Sequence, residues 1–277
     1  MTASVAEADL ERSLRARGEA LRAALRPTDV VVDLDETMWD WVLPILEQPR
    51  PWRGHTEHIF LRTPLLWLLD GLRGSAPEPV RIWTAGYGLR IDRIAAQDPL
   101  FARVFDLGPG VISEAEPHVV TRHDFVRAFR QRPEVIRHPE GSWIGEKVPG
   151  MPTLAGKPAI DAGRVLLDDR ETNCRRFASS GPGRAGIWLR GTPRTAKDNV
   201  PMRLGGGPPR RHWATGVAEA LEAVARGQTG VFVVDPVDGG PERQGIGVQL
   251  PFRAVVRDWV EPGREVARAL RRRVSAA

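Results

Sequence analysis

Cysteine, tyrosine and lysine are almost missing from this chain, which has one Cys, one Tyr and three Lys among 277 residues. A lone Cys174 excludes an internal disulfide framework and points to a reducing, cytoplasmic setting. There its thiol is either a site of oxidation or simply buried on a helix. No run of about eighteen apolar residues occurs, which excludes an ordinary membrane-spanning helix. The N-terminal stretch intersperses acids and arginines and lacks the apolar core of a secretion signal. His118, His123 and His138 have no metal-ligand spacing and are expected at the surface. Gly205-Gly206-Gly207-Pro208-Pro209 lacks the Gly-Lys-Ser/Thr ending of a phosphate-cradling loop and reads as flexible.

The scarcity of lysine also changes how the net charge of +5 is read, because 37 of the 40 basic residues are arginine. In a chain rich in Ala, Gly, Pro and Val, that surplus reflects GC-rich coding as well as function. It keeps nucleic acid as a secondary partner class. The cluster Arg271-Arg272-Arg273 sits in a helical pattern and reads as a solvated face.

Against these absences stands Val30-Val31-Val32-Asp33-Leu34-Asp35-Glu36-Thr37, a β-branched run that stops at carboxylates spaced i, i+2 with a hydroxyl at i+4. Continuous apolar runs mark buried strands of parallel sheets, and functional groups collect at the carboxyl ends of such strands. Acids at that point suit metal-assisted phosphoryl transfer. One carboxylate attacks phosphorus, and the other gives a proton to the leaving oxygen and then activates water. Mg²⁺, a hard cation that needs few protein ligands, offsets the phosphoryl charge. The competing reading is a helix cap, which uses the same residue types.

Further segments favour the first reading. Val80-Arg81-Ile82-Trp83-Thr84-Ala85-Gly86 is a short strand ending in a hydroxyl and small residues, suited to holding a phosphate oxygen through the Thr84 side chain and the Ala85 N–H. Arg164-Val165-Leu166-Leu167-Asp168-Asp169 is another apolar strand, again ending in paired acids. Such a pair can complete a metal shell and orient a lysine. Lys147 and Lys157 both precede it. A crossover helix matching a five-residue strand needs about eleven residues. Only Lys147 leaves that much chain, although Pro149, Gly150, Pro152 and Gly156 interrupt it; Lys157, which would need an extended crossing, is the alternative.

In order and spacing these pieces resemble the haloacid dehalogenase-like (HAD) superfamily of aspartate-nucleophile phosphatases, over roughly residues 28–190. Asp33-x-Asp35-x-Thr37 matches the first motif, Thr84 the second, a preceding lysine the third and Asp168-Asp169 the fourth. Asp-Leu-Asp-Glu-Thr-Met-Trp and Leu-Asp-Asp-Arg-Glu-Thr-Asn are most similar to the magnesium-dependent phosphatase group. Ile-Trp-Thr-Ala-Gly resembles the polymerase C-terminal-domain phosphatases. The resemblance implies that Asp33 is the nucleophile and Asp35 the general acid/base. It implies Mg²⁺ held by Asp33, the Asp35 carbonyl and Asp169, with Thr84 on phosphate and Asp168 positioning the lysine. Thr37 and Asn173 would support these groups, although an exposed turn is an equal reading for Asn173.

The expected architecture is α/β: a Rossmann-like parallel sheet with helices on both faces, a small cap insertion and a C-terminal α+β appendage. The core spans residues 1–228, with the insertion near residues 88–145, and residues 229–277 form an appendage that can pack on the core. Expected helices cover residues 6–25, 89–97, 122–130, 212–226 and 262–273. Trp39, Trp41 and the segment Thr63-Pro64-Leu65-Leu66-Trp67-Leu68-Leu69 read as a crossover helix packed on the sheet. Further strands are expected near residues 104–107, 185–189, 230–235 and 247–256. Asp235 and Asp238 read as ordinary strand-end and turn acids.

The expected function is Mg²⁺-dependent hydrolysis of a phosphate monoester, with a phosphorylated small molecule or phosphoprotein as substrate. Two alternatives stand beside it. One is a phosphotransferase or acyl-handling relative using the same site, and the other is a non-catalytic binding protein with an arginine-rich surface. The sequence carries no signal for oligomeric state.

Overall fold

A computed structural model describes residues 5–42, 55–84, 86, 88–121, 144–148, 151–154, 162–192, 210–241, 243 and 245–250. The first half runs α1 (Val5–Leu21), β1 (Val30–Val32), β2 (Trp39–Val42), β3 (His55–Leu61), α2 (Thr63–Arg73), β4 (Arg81–Trp83), α3 (Gly88–Ala95), α4 (Pro99–Phe105) and β5 (Val119–Val120). The second half runs β6 (Ile144–Val148), β7 (Met151–Leu154), β8 (Val165–Asp168), α5 (Glu171–Ser179), β9 (Ala185–Leu189) and β10 (Arg211–His212). It continues with α6 (Ala214–Ala225), β11 (Gly230–Val234), β12 (Val237–Asp238) and β13 (Gly245–Leu250).

Six strands form one sheet in the order β11-β9-β8-β1-β4-β5, and every neighbouring pair is parallel. The chain moves outward from β1 through β4 to β5, then returns to β8 on the other side of β1. The strand order therefore reverses between β1 and β8, the place where open α/β sheets leave a crevice at their carboxyl edge. Alternation along the strands serves two faces. Val30 and Val32 join a large core with Leu14 of α1, Leu68 of α2 and Leu221 of α6. Val31 and Leu166 instead pack with Trp83 and with Phe177 of α5. This is why β1 is apolar at every position: each face of the sheet carries a helix layer.

Helices α1 and α2 touch through glycines. A Cβ on Gly18 would lie 2.1 Å from the Leu68 carbonyl oxygen, and one on Gly71 would lie 2.2 Å from that of Arg15. Larger residues would force the two backbones apart.

A second, antiparallel sheet has the order β13-β3-β2. Trp39 thus stands in a strand paired with β3, and only the stretch from Thr63 onward forms the crossover helix that was expected to include it. The expected strand near residues 104–107 is also corrected, because α4 covers Val104 and Phe105. Asp98 caps α4 by accepting the Phe101 N–H at 2.7 Å, and Pro99 opens its first turn. Strand β11 forms an edge of the central sheet, and β13 pairs with β3, so residues 229–250 contribute strands to both sheets. His118 is buried, with Nε2 2.7 Å from the Phe105 carbonyl oxygen, and not at the surface as expected. His123, His138 and the expected helices over residues 122–130 and 262–273 lie outside the described residues.

Candidate metal centre and the loop facing it

Strands β1 and β8 run in register, Val30 beside Val165 and Val32 beside Leu167. The Asp33 N–H continues the ladder to the Leu167 carbonyl at 2.9 Å. Both strands therefore end at the same level, which brings Asp33 against Asp168 and Asp169. Carboxylate oxygens of these three acids all lie within 4.8 Å of one another, although the residues are only 4%, 0% and 1% exposed. Three buried carboxylates at that distance repel one another and have lost solvation, so a cation between them offsets a large cost. An all-oxygen donor set fits a hard divalent ion.

The β8 side is organised by its own next turn. Asp168 accepts the Arg170 N–H at 2.8 Å, and the Asn173 amide donates to both Asp168 oxygens at 3.1 and 3.0 Å. The Asp169 carbonyl accepts the Trp188 indole N–H at 3.0 Å. Asn173 is therefore buried against the acids and not exposed in a turn. Cys174, one residue on, is fully buried.

The β1 side is a tight loop. The Leu34 carbonyl accepts from the N–H groups of Thr37, Met38 and Trp39, and the Glu36 N–H donates to the Trp39 carbonyl at 2.8 Å. Glu36 takes a left-handed backbone at φ 64° to close that turn. Asp35 Oδ1 accepts two donors, the Trp39 indole at 2.9 Å and Arg90 Nη1 at 2.6 Å. Arg90, on α3, also grips Glu57 of β3 with a fork, Nε to Oε2 at 2.7 Å and Nη2 to Oε1 at 3.0 Å. The Thr84 hydroxyl accepts the Gly86 N–H at 3.0 Å. A Cβ on Gly86 would stand 2.9 Å from Asp35 Oδ2 and 3.2 Å from Thr84 Oγ1. The missing side chain of Gly86 lets the end of β4 approach the acid that closely.

Behind the loop lies a buried cluster of two arginines and one acid. Arg62 donates to the carbonyls of Glu36 and Thr37 at 2.5 and 3.0 Å and to Asp40 at 2.8 Å. Its guanidinium stacks 4.3 Å from the Trp213 ring centre. Arg243 reaches the other Asp40 oxygen at 2.5 Å and the carbonyls of Leu61 and Phe60. Burial alone would raise the Asp40 carboxyl, but the two guanidiniums outweigh it and hold the group below the usual carboxylate range. Glu36 goes the other way. Burial first, then the negative charges of Asp169 and Asp35, push it up to about 8 against the opposing pull of Arg170.

Asp33, Asp35, Thr84, Asp168, Asp169 and Asn173 therefore gather at the carboxyl ends of β1, β4 and β8. Thr37 is buried next to them and has no hydrogen-bond partner for its hydroxyl among the described residues. Lys147 has its backbone in β6, paired with β7, while its side chain, Lys157 and Ala85 lie outside the described part. Sequence reasoning missed Glu36, Glu57, Arg90 and the Arg62–Asp40–Arg243 cluster. Glu36 stood beside the acids and could have been found; nothing separates Arg90 from the other arginines of this chain.

Comparison with known proteins returns no relative: no family model, no curated protein and no solved structure matches the chain.

Proposed function

We propose that the chain is a Mg²⁺-dependent phosphoric monoester hydrolase of the HAD-like superfamily, with a Rossmann-like core and a small cap. The observation that carries this reading is the meeting of Asp33 with Asp168 and Asp169 at the reversal point of the strand order, beside Asp35 and Thr84. Asp33, Asp169 and the Asp35 carbonyl would hold Mg²⁺, which when bound neutralises charge on the phosphoryl oxygens.

The residues perform the rest. An Asp33 oxygen attacks phosphorus as the bond to the leaving oxygen breaks. That oxygen keeps the bonding electrons and takes a proton from Asp35. In the second step Asp35 takes a proton from water, whose oxygen forms a bond to phosphorus. The bond between phosphorus and Asp33 breaks, and inorganic phosphate leaves. Asp35 is the acid suited to this exchange because its side chain is 29% exposed. The Thr84–Gly86 turn lies next to it and supports the phosphate, and Asp168 positions Lys147 or Lys157. The small cap of this reading is the insertion near residues 88–145, and the antiparallel β13-β3-β2 sheet is an accessory that supplies Glu57 beside the loop. A small cap leaves the site open to a phosphorylated small molecule or a phosphoprotein, and the single cysteine fits a reducing cytoplasm.

Phosphate release from an aryl phosphate, with and without Mg²⁺, tests the reading beside Asp33→Asn. Release is expected to require the metal and to disappear in the variant. A variant that keeps a near-normal Mg²⁺-dependent rate would overturn the assignment.

A further inference from the structure

The loop acid Asp35 is held differently from the three metal-centre acids. Its Oδ1 is fixed from two sides by Trp39 and Arg90, while Oδ2 lies over Gly86, 2.9 Å from where a Cβ there would stand. A carboxyl on a partly open loop would otherwise sample several rotamers. Arg90 is itself immobilised: it is 5% exposed, and Nε, Nη1 and Nη2 each donate to a carboxylate oxygen of Glu57 or Asp35. Its fork is committed to protein acids, which makes it a poor candidate for gripping substrate.

We propose that Arg90, braced by Glu57, is the positioning residue of the general acid: it anchors Asp35 by Oδ1 so that Oδ2 is the atom presented for proton transfer. The proposal rests on the phosphatase reading. A lysine cannot do the same work, because an ammonium lacks the planar fork that spans two carboxylates. Glu57 enters from the accessory sheet, so that sheet acts on the chemistry through Arg90 without touching substrate.

A misplaced general acid is felt most where the leaving oxygen most needs a proton. The test therefore measures kcat/KM, which reports the step that expels the leaving group. The Mg²⁺-loaded full chain, Arg90→Gln and Arg90→Lys are compared on p-nitrophenyl phosphate, phenyl phosphate and an alkyl phosphate, with Asp35→Asn as the reference. Loss is expected to grow with leaving-group basicity, from about tenfold or less on p-nitrophenyl phosphate to about a hundredfold on the alkyl ester, following the Asp35→Asn trend. Equal loss across the series overturns the proposal and leaves Arg90 a structural role. Arg90→Lys keeps the buried positive charge and supplies the measurement if Arg90→Gln does not fold. Crystal structures of the variants give a readout independent of turnover: Asp35 should leave its position, and an unmoved carboxyl overturns the proposal. If the unaltered chain releases no phosphate while the variants show Asp35 displaced, the phosphatase reading falls and the positioning contact stands.

Discussion

The loops after β1 and β8 both follow an apolar strand and both carry acids, yet they are held in opposite ways. After β8 the support seen among the described residues is mostly local. Asp168 is bound by the N–H two residues on and by Asn173 five residues on, and the neighbouring strand adds Trp188. After β1 most of the side-chain support comes from far along the chain. Asp40 is met by Arg62 across 22 residues and by Arg243 across 203, and Asp35 by Arg90 across 55. The acids that β8 brings to the site are thus held mainly by one strand-to-helix turn. The β1 loop, which carries Asp35, is assembled only when distant elements close on it.

That contrast is easiest to break at Asp40. Asp40→Ala leaves the Arg62 and Arg243 guanidiniums buried beside each other, and a cost of about 3–5 kcal/mol is expected. Urea unfolding checks it, and a loss under about 1 kcal/mol would erase the distinction between the loops. The same residue carries a pH signature. Its carboxyl is held below 3.8 in the folded chain, so its contribution is present above that value and lost as pH falls through the lower folded pKa. Asp40→Ala should lack that part of the acid limb.

On the local side a smaller effect is expected. Asn173→Ala removes a donor to both Asp168 oxygens and should cost about 1–2 kcal/mol. Divalent-cation affinity, measured by calorimetry, should fall about tenfold because Asp168, which lies in the cluster with Asp33 and Asp169, loses the support that holds it there. Unchanged affinity would show that Asp168 needs no help from its own turn.

Glu36 sharpens the comparison by charge. Its carboxyl stands near 8 in the folded chain against an ordinary value of 4.5, so between those values the folded chain keeps a proton that the unfolded chain releases. Stability of the metal-free protein therefore declines as pH rises through that window. Glu36→Gln should flatten the decline in thermal melts taken in chelator. A slope unchanged by the substitution would assign the dependence to other groups.

The smallest effect is expected at the exposed Arg190–Asp235 pair, 2.5 Å apart at the ends of β9 and β11. Asp235→Ala should leave the melting temperature unchanged, because solvent screens such pairs. A clear drop would mean that long-range ion pairs matter throughout this protein and not only behind the β1 loop.

The same division governs what could be read from the sequence. The β1 and β8 runs with their terminal acids were legible because strand, acid and turn are consecutive, and the two runs turned out to be adjacent and in register. Asn173 was noticed because it follows the acids by a few positions, although its burial was not visible. Arg90 and Glu57 were invisible because their pairing spans 33 residues and joins a helix to an accessory strand. The β2–β3 hairpin was hidden for a related reason: two tryptophans and a leucine-rich run sum to apolar bulk whether or not the first of them lies in a strand. At Val104 and Phe105 an apolar pair suited either period, and the deciding signal was the Asp98-Pro99 cap just upstream.

Arg243 also sets a timetable. The carboxylate it secures at Asp40 lies 203 residues earlier in the chain, and ribosomes add about 5–20 residues each second. During synthesis the Asp35–Asp40 turn therefore waits on the order of 10–40 s for its last brace. Over that interval Arg62 and Asp40 have each other but lack the second guanidinium, and the brace on Asp40 is finished only once residue 243 has been made.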